Sequence, residues 1–201
     1  QELALPAVDD SPSSQLLIEQ ATDQAKANPR EAVRLLVQVL DAGPDRLVRA
    51  GLDADLFVPV SRRVHVMLVA DAALRSAFRR ELSADADAQL ARGEYVELAS
   101  RRIDTEAGLE ASLRLAETCL TRGRVAAASS YLDRVDGHDL LAGRRALYHA
   151  SMTATVAARL GQSERARLAL ARIDTLAADQ TGSLKATEIA GARAAALATP
   201  T

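Results

Sequence analysis

Cysteine occurs once in 201 residues, as Cys119. No intramolecular disulfide can form, and the redox compartment is left open. A lone thiol on an apolar helical face reads as buried filler rather than a nucleophile. Tryptophan is absent and aromatic residues make up 2% of the chain, which removes the stacking platforms a single-strand nucleic-acid binder uses. The formal net charge of −2 provides no overall field toward nucleic acid or an anionic membrane. No run approaches the ~18 to 20 apolar residues of a membrane span. The six prolines fall mostly near the ends of apolar runs and leave long stretches free for helices. A glycine-rich phosphate loop, a serine nucleophile elbow and a haem-attachment cysteine pair are all missing.

What is present is one pattern written twice, thirty-eight residues apart. Leu115 to Gly123 runs into Arg124 to Val135, and Thr153 to Gly161 runs into Gln162 to Ile173. Each copy reads as a helix ended by glycine, followed by a helix with a small residue at i and aliphatics at i+4 and i+7. These are Ala128, Leu132 and Val135 in one copy and Ala166, Leu170 and Ile173 in the other. Ala32, Leu36 and Val39 form a weaker first copy. A period in this range marks a stacked array of helical hairpins. The spacing predicts an all-α fold: a right-handed stack of antiparallel hairpins with about ten to eleven helices. No period-two apolar run is long enough to be a convincing strand.

Along the chain, residues 1 to 12 read as a flexible arm, 13 to 177 as the repeat domain, and 178 to 201 as a capping helix and tail. A first helix is expected from Gln15 to Ala27 with Leu16, Leu17, Ala21 and Ala25 inward. Asn28-Pro29 makes the break before the second. Asp53 to Pro59 should be extended just before Pro59. Asp71 and Ser83 can each cap a helix, the second ending at Gly93. Gly182-Ser183 opens a last alanine-rich helix to about Leu197. Ala128 and Ala166 are expected to be buried at the hairpin crossings, where Ala166→Leu should overpack at a cost of roughly 1 to 3 kcal/mol.

The two clear copies resemble tetratricopeptide repeats. The turn glycines, the small Ala128 and Ala166, and the large Leu132 and Leu170 one turn later carry the likeness. Aliphatic or alanine residues replace most of that family's aromatics, the spacing differs from thirty-four residues, and no proline closes each unit, so the repeats are degenerate. A narrower resemblance, over residues 15 to 175, rests on the order of a hairpin, Leu56 to Arg63, Ala72 to Arg80, Ala88-Gln89-Leu90, and Glu106 to Val135. It is similar to the helical N-terminal region of exported planctomycete-type proteins that carry a C-terminal pyrroloquinoline-quinone-like β-propeller. That resemblance implies an interaction module of the periplasm or cell envelope, with cytoplasmic location as the alternative. The polar start at Gln1 fits a chain whose signal peptide has been removed.

Candidate chemistry is sparse. His65, His138 and His149 lack the i, i+3 or i+4 spacing of a helical metal site, and no metal or cofactor is expected. Glu94, Glu97, Glu106, Glu110 and Glu117 are spaced as solvated helix faces, with Glu110 and Arg114 an i, i+4 pair. The arginine doublets at 62-63, 79-80, 101-102 and 144-145 read as charged flanks with apolar stems. No catalytic residue is assigned. In stacked hairpins the first helix of each pair lines the concave side. That places Glu110, Arg114, Glu117 and Thr121 of one unit, and Tyr148, Ser151, Met152 and Thr155 of the next, along a protein-binding groove. The expected role is a non-catalytic scaffold with protein partners in a larger assembly, no nucleic acid and no membrane span; homo-oligomerisation is left open. The rivals are a helical hydrolase with a site built from scattered helices, marked by a deep pocket holding His149 beside two carboxylates, and a regulatory nucleic-acid binder.

Overall fold

The computed structural model describes residues 11–50, 56–178, 190–192 and 194. The chain is mostly helical, 78%. It divides into two compact units, Gln1–Gly93 with Ser100–Gly108 and Glu94–Ala99 with Leu109–Thr201. No helix among the described residues is long and apolar enough to cross a membrane.

In the first unit, α1 (Pro12–Gln24) packs on α2 (Pro29–Ala42). Asn28 caps α2 by accepting from the Glu31 amide, and Pro29 fills the first turn, where its missing N–H costs nothing. Ala32, Leu36 and Val39, the stripe read from the sequence, are all fully buried. Of the α1 residues expected inward, Ala21 is buried and Leu17 and Ala25 are partly buried against the same core; Leu16 is the exception. Leu16 is 55% exposed, while Ile18 and Ala21 make the buried contact. Leu16, Leu17 and Ile18 form a continuous aliphatic run, so spacing alone could not say which of them points inward.

A two-stranded antiparallel ribbon follows, β1 (Leu47–Arg49) with β2 (Phe57–Pro59), pairing Val48 with Val58. The extended stretch before Pro59 was expected; its pairing as a strand was not. Three residues are too few to register as a period-two run. The Ser11 amide donates to the Leu47 carbonyl at 3.0 Å and ties the start of α1 to the ribbon.

Then come α3 (Val60–Ala70) and α4 (Ala72–Arg92), which pack together and on α2. Asp71 caps α4, its Oδ1 accepting from the Ala73 and Leu74 amides at 2.9 and 3.0 Å. No break occurs at Ser83, which sits exposed in the middle of this 21-residue helix. Leu74, Phe78, Leu82 and Ala86 are spaced i, i+4 straight past it, and no glycine or proline intervenes before Gly93.

The segment 100–108 completes this unit through polar contacts. Arg102, itself buried, donates Nη2 to Asp41 Oδ1 at 2.8 Å. His65 Nδ1 lies 2.8 Å from Asp104 Oδ1, and Arg79 Nε donates to the Asp104 carbonyl at 2.8 Å. Thr105 Oγ1 donates to the Arg102 carbonyl and accepts from the Gly108 amide at 3.0 Å, capping the next long helix.

The second unit carries residues of α5 (Tyr95–Arg101) and α6 (Glu106–Thr121), with α7 (Val125–Val135), α8 (Gly143–Arg159) and α9 (Ser163–Ala178). α8 packs on both α7 and α9. The repeated glycines close their helices in the same way. Gly123 N donates to Leu120 O and Arg124 N to Cys119 O; Gly161 N donates to Ala158 O and Gln162 N to Ala157 O. Each is the paired 5→2 and 6→1 closure of a left-handed C-cap, with φ of 72° and 70° at the two glycines. The copies seen in the sequence therefore share a turn, bond for bond.

Their packing differs. Ala128, Leu132 and Val135 are fully buried, but on α9 the buried pair is Ala169 and Ile173, with Ala166 and Leu170 only half-buried. Ala166 lies in the first turn after Gly161, where the hairpin is still open to solvent. The overpacking expectation therefore transfers to Ala128: Ala128→Leu should cost roughly 1 to 3 kcal/mol, and Ala166→Leu less. Urea unfolding of the two variants side by side checks that order. The expected capping helix falls outside the described residues apart from 190–192 and 194, which are helical.

Candidate functional site

Of the four α6 residues Glu110, Arg114, Glu117 and Thr121, only the first two bond to each other through their side chains, and only Glu110 lines the groove described below. Arg114 Nε donates to Glu110 Oε1 at 2.8 Å and its Nη1 to the Tyr95 hydroxyl at 3.1 Å. The guanidinium sits 5.6 Å from the Tyr95 ring centroid, within cation–π range. Glu110 and Tyr95 together hold the arginine firmly charged, the Glu110 hydrogen bond being the larger effect. Thr121 is exposed and donates to the Thr118 carbonyl at 3.0 Å.

On α8 the four expected residues separate. Tyr148 is 39% exposed. Burial, then a hydrogen bond to Glu117, pushes its phenol well above the ordinary value, with the Glu117 and Glu110 charges adding and Arg114 opposing. The hydroxyl faces the Glu117 carboxylate, which accepts its proton in a hydrogen bond. Ser151 is buried, and Thr155 is half-buried and donates to the Ser151 carbonyl. Met152, expected to present an adaptable thioether to a partner, is instead 6% exposed and absent from the groove's described lining. α7 and α9 both pack on α8, so less of its circumference is free than a two-helix picture implies.

Glu110, Tyr148 and Ser151 do converge. They line one groove of about 560 Å³ together with Leu113, Leu147, Arg144, Arg145 and, from the C-terminal segment, Gly191 and Ala192. Leu113 and Leu147 supply apolar surface, and Glu110, the two arginines, Tyr148 and Ser151 supply polar groups.

A second cavity, of about 130 Å³, is lined by His149, Thr153, Asp136, Arg165 and Arg172 among others. His149 is 3% exposed. Its Nε2 lies 3.1 Å from the Leu132 carbonyl and so carries the proton, while Nδ1 has no partner. The hydrolase reading asks for two carboxylates here. The described lining holds one, Asp136, which Arg172 engages at 3.1 Å. Among the described residues no cluster of His, Cys, Asp and Glu is placed to hold a metal ion.

Burial lowers the His149 pKa; the bond to Leu132 and the charge of Asp136 oppose this, and Arg172 and Arg165 add to it. The unfolded chain, with a histidine near 6.5, then binds a proton that the folded chain refuses. Stability is fully present above that value and falls as pH drops below it, by at most about 1.4 kcal/mol per pH unit. Urea midpoints at pH 7.5 and 5.5 should show a larger acid loss for the parent than for His149→Gln. Equal losses would mean that His149 stays solvated.

The sequence left two pairs unmatched, His65 with Asp104 and Arg102 with Asp41, because 39 and 61 residues separate them. No spacing rule reaches that far. Compared with known protein families, curated proteins and solved structures, this chain matches none.

Proposed function

We propose that this chain is a non-catalytic protein–protein interaction scaffold, built from degenerate tetratricopeptide-like hairpins and serving as an accessory subunit of an exported, cell-envelope assembly. The observation that supports it most is the groove beside α8, which Leu113 and Leu147 line together with Tyr148, Glu110 and two arginines. Tyrosine and arginine are among the residue types that dominate binding energy at protein interfaces. The shared turn closure at Gly123 and Gly161 supports the repeat reading. The resemblance to exported planctomycete-type helical regions supports the location.

A photo-crosslinking amino acid in place of Tyr148, in the tagged chain expressed in its native cell, tests this reading. One discrete protein adduct is expected from Tyr148, with none from the same probe at Asp87, an exposed position on α4. The reading fails if neither position yields an adduct, or if both give the same set.

A further inference from the structure

The groove is not bare. The helical turn at Ala190–Ala192 lies against it: Gly191 and Ala192 contribute to its lining, and Ala192 packs on the cluster of Leu147, Ala150, Ala154, Ala169 and Ile173. Ser151 Oγ donates to the Ala192 carbonyl at 3.0 Å. Ser151 is buried, so its hydroxyl needs an acceptor, and a main-chain carbonyl from the segment seated on the groove supplies one.

That seat is small. Gly191 is exposed, and a Cβ added to it would meet nothing within 4 Å. Ala192 is half-buried and offers one methyl group. About 560 Å³ of groove remains open around them. A glycine in the turn also weakens its helix, because glycine loses more backbone freedom on ordering than other residues do. A longer helix with small residues on one face could fill more of the groove while still giving Ser151 its carbonyl.

We propose that the C-terminal turn is a tethered, exchangeable occupant of this groove, and that the groove's partner is an alanine-rich helix of the same kind that must displace it. This rests on reading the groove as a docking surface. Because the turn belongs to the same chain, it competes with any partner for the groove and acts as a threshold: a weak partner helix fails to displace it and a strong one succeeds.

The probe is a fluorescein-labelled peptide of this chain's own residues 183–198, titrated by anisotropy against the full 201-residue chain. Two variants empty the seat by different means. Ala192→Glu places a carboxylate against the apolar cluster. Gly191→Pro breaks the helical turn through its missing N–H and fixed φ, and adds no charge. Both should bind the peptide at least tenfold more tightly than the parent, and a peptide carrying the same Ala192→Glu change should bind none of the three. Circular dichroism checks that each variant is folded, and either one suffices. Binding within twofold across parent and variants, or to none of them, would overturn the proposal. A failed crosslink at Tyr148 with a successful exchange here would sink the partner reading and leave the tethered occupant. The reverse would sink the exchange alone.

Discussion

Gly108→Ala is expected to destabilise the first unit by about 3 kcal/mol, the upper end of ordinary overpacking. Gly108 sits one turn into α6, and a Cβ there would meet the Arg102 carbonyl oxygen at 1.9 Å, its carbon at 2.4 Å and Ile103 Cα at 2.8 Å. Those are main-chain atoms, and no rotamer change can move them aside. The same stretch supports the Thr105 cap on the Gly108 amide and carries Arg102 to Asp41. A forced shift would therefore strain a buried arginine as well as a helix end. Gly191→Ala is the internal control. Nothing lies within 4 Å of its added Cβ, and alanine's better helix propensity should leave stability unchanged or raise it by up to about 1 kcal/mol. Guanidinium unfolding of both variants is the measurement. Equal midpoints would show that the 102–108 turn does not press on α6 as described.

Phe78→Ala should be at least as damaging, at roughly 3 to 5 kcal/mol. Phe78 is the largest of the fully buried side chains and belongs to the core cluster that joins α1, α2, α3 and α4, with Leu36, Val64, Leu68 and Leu74. The cluster holds no second aromatic side chain that could fill the hole. Phe78→Leu, which keeps most of the volume, should cost clearly less. Denaturant midpoints that fail to separate Phe78→Ala from Phe78→Leu would mean that the cavity collapses at little cost.

Helix identity was legible because it depends on neighbours within one turn. Asn28-Pro29, Asp71 and Gly93 announce their boundaries, and the helix read within Arg124 to Val135 is observed as Val125–Val135. Face assignment was legible only where small and large residues alternate at helical spacing. Ala32, Leu36 and Val39 met that condition and are buried; the Leu16–Ile18 run did not, and Leu16 points outward. The groove was half legible for a related reason. Periodicity brought Glu110, Tyr148 and Ser151 to one surface, but it could not show how many neighbours surround α8, and that number decides whether Met152 faces a partner or the interior. The tertiary polar contacts were out of reach altogether. Nothing local to His65, Asp41 or Gly108 reports that the 100–108 turn folds back onto them.

That turn also settles how the chain can be divided. Residues 94–99 belong with the second unit and 100–108 with the first, so the polypeptide crosses between the two three times rather than once. A cut after Gly93 deprives Asp41 of Arg102 and His65 of Asp104. A cut after Gly108 keeps those pairs but severs α6 after its first turn and takes Tyr95 away from Arg114. No single scission yields two intact halves. Neither unit is a single contiguous stretch of sequence, so neither can be expressed by itself as one uninterrupted segment.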